Sequence, residues 1–259
     1  MEFFKDLSLI NLILITFALS VIFMWLGLLI GRQHLKKKKD PEKGYGSIIT
    51  SQLTIVAFMI AFIFGMASSR FDKRRSVILD QANSIGTTYL RTDLLPEPQR
   101  TEVKKLIRDY VNEYVGVYEK KIKLEDALPK TELMLDRIWD ISSQYAAAQT
   151  GNIAIGIYIQ SLNETIDFHT KQLTVSIYQK IPDEVWLTLY LLAAMSMFAT
   201  GFYAGVSGGT FGIPGILLAF TFTLMISTIS DLDRGSEGIF NVSSQPFLEL
   251  HKKINSEVK

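Results

Sequence analysis

Gly44-Tyr-Gly-Ser-Ile-Ile-Thr-Ser-Gln-Leu-Thr-Ile-Val-Ala-Phe-Met-Ile-Ala-Phe-Ile-Phe-Gly-Met-Ala-Ser-Ser69 runs for 26 residues without an Asp, Glu, Lys or Arg. About 20 apolar residues in a helix cross the ~30 Å of a bilayer's hydrocarbon, so this stretch is long enough to span one. Two more such stretches flank it: Leu7–Gly31, of 25 residues, and Val185–Ser230, of 46. Residues 70–184 between them hold 33 of the 53 charged side chains in a chain of 259. The mean hydropathy of +0.20 therefore averages a membrane part and an aqueous part. Leu7–Gly31 also exceeds a signal-peptide core and lacks a cleavage-site flank. The sequence describes an integral membrane protein, not a secreted or cytosolic enzyme.

At about 1.5 Å rise per residue, 46 residues are too many for one crossing. Gly205-Val-Ser-Gly-Gly-Thr-Phe-Gly-Ile-Pro-Gly215 breaks that stretch with five glycines and a proline, which punctuate helices. Val185–Ala204 reads as the third span and Ile213–Ser230 as the fourth. The expected fold is all-α: four transmembrane helices in two hairpins with an inserted soluble helical bundle. The expected domains are a first hairpin over 1–69, the bundle over 70–184, a second hairpin over 185–230 and a C-terminal tail over 231–259. Both termini and the insert then share one side.

Apolar periodicity fits four helices to the insert. The first continues from the second span, with Phe71, Ile78, Ala82, Ile85 and Tyr89 on one stripe, and stops before Pro96. The second carries Val103, Ile107, Tyr110, Val111, Tyr114 and Tyr118, and its tyrosines suit a subunit contact. The third starts after Pro129 and uses Leu135, Ile138 and Ile141. The fourth runs from about Asn152 to Ile181 through Ile155, Leu162, Ile166, Leu173 and Ile177. No strand pattern and no solenoid repeat competes with this reading.

A net charge of +1 gives no field for nucleic acid. The absence of cysteine removes disulfides, thiolate metal sites and cysteine nucleophiles. His34, His169 and His251 stand alone, without paired-ligand spacing. Glu164 and Asp167 share a helix face, where a solvated surface outweighs a carboxylate dyad. No catalytic residue, metal ligand or cofactor is expected, and an enzyme is not. The basic run Lys36–Lys39 suits lipid headgroups.

No span holds an Asp, Glu, Lys, Arg or His, which argues against proton relays and voltage sensors. In the second span Ala57, Ala61, Gly65 and Ser69 recur every fourth residue, a small-residue face for close helix packing. Phe58 and Phe62 sit beside it. Two readings of these rings stay open: packing against lipid or neighbouring helices, or an apolar constriction that gates by dewetting.

Orientation stays open on charge alone. The first turn carries six basic residues, Arg32, Lys36–Lys39 and Lys43, against eight near the membrane on the opposite side.

Arg70-Phe-Asp-Lys-Arg-Arg-Ser-Val-Ile-Leu-Asp-Gln-Ala-Asn-Ser-Ile-Gly-Thr-Thr-Tyr-Leu-Arg91 with Leu94-Leu-Pro-Glu-Pro98, then Ser161-Leu-Asn-Glu-Thr-Ile-Asp167, then Asp231-Leu-Asp-Arg234 with Gly238, resemble in order the signatures of the bacterial bestrophin-like domain family. A more distant resemblance is to true bestrophins, pentameric ion channels with four spans and a cytoplasmic helical domain. Aligned on Ser69-Arg70-Phe71, that resemblance implies a pore neck at Thr54, Phe58 and Phe62. It implies a post-span motif at Asp231, Asp233, Gly238 and Pro246. Bestrophins follow that motif with an acidic calcium-binding run, where this chain has Asn241-Val-Ser-Ser-Gln245. Calcium needs several oxygen ligands with carboxylate charge, so no metal is expected here.

The implied protein is a homo-oligomer, in the resemblance a pentamer, in the cell membrane. Its partners would be copies of itself, lipids and inorganic ions, with insert and termini in the cytoplasm. The leading expectation is a passive ion channel; the alternative is a non-conducting, membrane-anchored helical sensor or scaffold.

Overall fold

A computed structural model describes residues 8–37, 44–149, 151–175, 179–235 and 238–256. Lys38, Lys39 and Lys43 of the basic turn, and Ile177 of the fourth expected insert helix, lie outside these. Among the described residues every regular element is helical. In chain order the α-helices are α1 (Leu9–Lys37), α2 (Tyr45–Arg91), α3 (Gln99–Tyr118), α4 (Leu124–Ala148), α5 (Ile153–Leu173), α6 (Asp183–Val206), α7 (Gly212–Arg234) and α8 (Gln245–Ser256), with a 3-10 turn at Thr92–Leu94 after α2. Helices α1, α2, α6 and α7 are long and apolar enough to cross a membrane. The chain divides into two compact units, Met1–Phe71 with Lys180–Asn241, and Asp72–Gln179 with Val242–Lys259. Helix α2 begins in the first and ends in the second.

In the first unit α1 lies along α6 and also meets α7. Two Gly-x-x-x-Gly pairs, Gly27/Gly31 on α1 and Gly201/Gly205 on α6, let the backbones approach. A Cβ on Gly27 would strike the Phe198 carbonyl, and one on Gly201 the Met24 carbonyl. One on Gly205 would lie 2.5 Å from the Leu28 carbonyl. Lipid is as apolar as leucine, so close van der Waals packing of this kind must hold membrane helices together. Around it Met24, Leu189, Met197, Phe222, Ile226 and Ile229 are buried. Helix α2 joins this core through Val56, Ile60, Ile63 and Ala67.

The second unit packs α3 against α4 and α8, and α4 against α5. Its apolar core runs through Ile85, Val103, Ile107, Leu135, Ile138 and Leu162. The tyrosines expected at a subunit contact are inside it: Tyr110 and Tyr114 are buried. Periodicity had shown their common face but not what it meets. It meets α8, the segment expected as a tail, whose Phe247 ring stacks 5.1 Å from that of Tyr114.

Two helix boundaries also differ from expectation. Helix α4 begins at Leu124 and carries Pro129 inside it, with Glu125 and Asp126 in its first turn. Those acids favour the positive end of the helix dipole, which extends the helix upstream of the proline. Helix α5 starts at the Asn152 cap, whose side chain accepts from Ala154 and Ile155. Its α-helical part ends at Leu173, and Lys180 and Ile181 are not helical.

A polar network threads this apolar core. Gln81 Nε2 donates to the Tyr110 hydroxyl at 2.9 Å. The Tyr110 and Tyr114 oxygens lie 2.9 and 3.0 Å from His169 Nδ1. Tyr114 donates its proton to Gln172 Oε1 at 2.9 Å. His169 Nε2 is buried and meets no hydrogen-bond partner among the described residues. Burial raises the Tyr114 hydroxyl to about 12. Burial also lowers the His169 imidazole from its ordinary 6.5, partly opposed by the charge of Glu132.

Gly201→Val should destabilise the first unit by about 1–3 kcal/mol, the usual cost of overpacking. The same change at Gly65, where an added Cβ meets nothing within 4 Å, should leave the unit's stability unaltered. Thermal unfolding of both variants in detergent checks this.

Stability should also fall in acid through His169. Unfolded, the imidazole takes up its proton near 6.5; folded, it resists until lower pH. Its contribution is therefore whole above that value and is lost as pH drops below it. The difference between wild type and His169→Gln, followed by unfolding from about pH 7.5 downward, should shrink as the solution is acidified.

Candidate pore-lining face of the second span

At about 100° per residue, helix α2 presents distinct faces. Val56, Ile60, Ile63 and Ala67 are buried in the core of the first unit, and the neck residues named from sequence turn away from it. Phe58 is 70% exposed and Phe62 58%, and Thr54 is exposed as well. Phe58 is the most exposed large apolar side chain on α2. Ala57, Ala61, Gly65 and Ser69 are exposed too. Helical register puts Gly65 and Ser69 in line with the two phenylalanines, while Ala57 and Ala61 stand to one side. At Gly65 an added Cβ would meet nothing within 4 Å, unlike the glycines of α1 and α6.

The polar groups on the early turns of this face are locally satisfied. Ser47, Ser51 and Thr54 donate to the carbonyls of Gly44, Ser47 and Thr50 at 2.8–2.9 Å. The face therefore carries hydroxyl oxygens able to accept from water, two aromatic rings, and no charge as far as Ser69. It can offer an aqueous wall narrowed by an apolar step.

The post-span residues do different work. At the end of α7 the Asp231 carboxylate Oδ2 accepts from the backbone N–H groups of Ile239 and Phe240, at 2.9 and 3.1 Å. Gly235 ends the helix in a left-handed conformation, φ 66°. Gly238 passes so close to the Asp231 carboxylate that a Cβ there would overlap Oδ1. The Asp233 Oδ1 accepts from Ile181 N–H at 3.0 Å and lies 3.9 Å from Arg70 Nη1. Both acids are thus occupied in pinning backbone. Pro246 falls in the first turn of α8, where a missing N–H costs no helical bond. Among the described residues no three His, Asp or Glu side chains converge as a metal site would need.

Sequence reasoning passed over the α1–α6 glycine contact and the buried His169 network. The glycine spacing was visible on both helices, but nothing local announced that they face each other. His169 was read alone because its tyrosine partners lie more than fifty residues away in sequence.

No curated protein matches this chain. Solved structures do. A singly substituted form of a bacterial bestrophin homologue from Klebsiella pneumoniae superposes with a TM-score of 0.66, at 14% identity over 98% of this chain and 97% of that one. A second singly substituted form of the same homologue gives 0.65, at 12% identity over 96% and 97%. A third structure of it, phased on zinc, gives 0.62, at 14% identity over 97% of each chain. At such identities the likeness shows a shared fold. The family model of the bestrophin-like domain matches residues 14–247, and the chain therefore belongs to the bestrophin-like family of membrane proteins.

Proposed function

We propose that this chain is a passive ion channel, a homo-oligomer whose α2 helices surround the conduit. Thr54, Phe58 and Phe62 form its neck. The observation that carries this reading is the outward turn of Phe58 and Phe62 on a helix whose opposite face is buried. A ring of such faces around an axis would stack two aromatic layers and hold the neck nearly dry. Gly65, where an added Cβ would meet nothing within 4 Å, and the exposed Ala61 leave room for the next copy's helix. In the same reading α1–α2 and α6–α7 form two transmembrane hairpins, and residues 70–184 are a bundle inserted between them. The bundle and both termini face the cytoplasm of a cell membrane. Family membership supports the channel; five copies are the bestrophin precedent. Lipids surround the assembly, and inorganic ions are its cargo.

Truncating both Phe58 and Phe62 to Ala should widen and wet the neck, raising ion flux and weakening selectivity. The measurement is flux per correctly assembled oligomer in liposomes, with native mass measured in parallel. Rings that only pack between helices would instead leave cavities costing about 3–5 kcal/mol each, and flux per oligomer would not change. A wild type that is monomeric, or conducts nothing under any gradient, would leave the scaffold reading standing.

Orientation is tested by single cysteines, since the chain has none of its own. In intact cells a cysteine at Lys36 should react with an impermeant reagent and one at Glu125 should not. The reverse pattern would invert the protein in the membrane.

A further inference from the structure

Inside the second unit the His169 ring is only 4% exposed. Tyr110 and Tyr114 reach its Nδ1 from α3. Gln81 of α2 stands behind Tyr110, and Gln172 of α5 takes the Tyr114 proton. The charged group whose field reaches the ring is Glu132 of α4, an exposed side chain. Among the described residues neither His169 Nε2 nor the buried Gln81 Oε1 has a hydrogen-bond partner.

A neutral imidazole carries one N–H, whereas an imidazolium carries two and accepts nothing. The tyrosine oxygens can receive a proton from Nδ1, but Nε2–H would then be buried without an acceptor on a charged ring. Burying an unpaired charge and donor is costly. The phenols cannot offset it as anions, because burial raises both hydroxyls, that of Tyr114 to about 12. Proton uptake therefore favours any rearrangement that lets water reach the ring.

Tyr114 ties that event to α8. Its hydroxyl lies at His169, and its ring stacks on Phe247. Tyr118 adds a second ring, 5.3 Å from that of Phe247. At 12 residues α8 is marginal as an isolated helix in water, so it depends on this docking. Beyond Phe247 it is held by Leu250 against Gly86 and by a long 3.4 Å bond from the Tyr89 hydroxyl to the Ile254 carbonyl. The titratable side chains of α8 itself, Glu249, His251, Lys252 and Lys253, are not buried.

We propose that proton uptake by His169 unlatches α8 from Tyr114, a pH-sensitive switch built into the second unit. Helix α8 is docked while the imidazole is neutral and released when it is charged. Every residue of the switch lies in that one unit, so it stands whether or not the chain conducts. Burial holds the folded imidazole below its ordinary 6.5, so the release comes as pH falls through that lower value.

The test is hydrogen exchange of the purified full-length protein in detergent, followed from about pH 7.5 to about pH 5 and corrected for intrinsic exchange. Protection of the α8 amides should fall by about tenfold or more on acidification, while α4 keeps its protection. His169→Gln should abolish that fall, and His251→Gln, on α8 itself, should leave it in place. Glu132→Gln, at an exposed position that folding does not depend on, removes the charge that favours the imidazolium. It should move the midpoint to lower pH at low ionic strength, and it carries the test should His169→Gln fold poorly. Protection of α8 that is independent of pH overturns the proposal, as does a loss shared equally by α4, which is plain unfolding. A fall that persists in His169→Gln, a fall abolished by His251→Gln, or a midpoint unmoved or raised in Glu132→Gln overturns it too.

Discussion

In hydrocarbon a backbone N–H or C=O has no water to bond, so it must be satisfied within its own helix. That constraint shapes the rest of this molecule. It forces the chain through four uninterrupted apolar helices and removes hydrophobicity as a reason for them to associate. What holds the first unit together must then be contact itself. Gly27 and Gly31 against Gly201 and Gly205 supply it, with one helix's carbonyls where the other's side chains would otherwise stand. Helix α2 is treated differently. It buries a stripe of Val56, Ile60, Ile63 and Ala67 and leaves its small-residue and aromatic face open. A helix so divided is half packed and half presented.

Much of this was legible in the sequence, because hydrocarbon penalises charge so heavily. The charge-free runs mark the spans, and the glycines of 205–215 mark the break between the last two. The helices nonetheless outrun those windows, α6 starting at Asp183 and α7 ending at Arg234. Acids at the start of α6 suit the helix dipole, and the acids at the end of α7 accept from backbone N–H groups, so the first charge past a span need not end it. Inside the bundle, periodicity identified the stripe of Tyr110 and Tyr114 but not its partner. A stripe at helical spacing looks the same whether it meets another subunit or a distant segment of its own chain. That segment was itself readable, since Phe247, Leu250 and Ile254 share a face and are buried. Its short length and terminal position disguised it.

The candidate site divides along the same line. Thr54, Phe58 and Phe62 were placed by analogy, and the turn of that face away from the core is compatible with the role. Asp231 and Asp233 show how a motif can persist with another physical task. Two backbone N–H groups satisfy one carboxylate oxygen of Asp231, and Asp233 holds Ile181 near Arg70. Gly238 is required by geometry, because the Asp231 carboxylate fills the space of a side chain there. These contacts account for the acids and the glycine by the backbone geometry they fix.

In the proposed pore an apolar neck would strip water from every ion and discriminate only weakly by sign. The turns of α2 that bury Val56, Ile60, Ile63 and Ala67 are the same turns that aim Phe58 and Phe62 outward. Packing of one face therefore fixes where the other points, and the two rings need no contact of their own within the chain to be held in place.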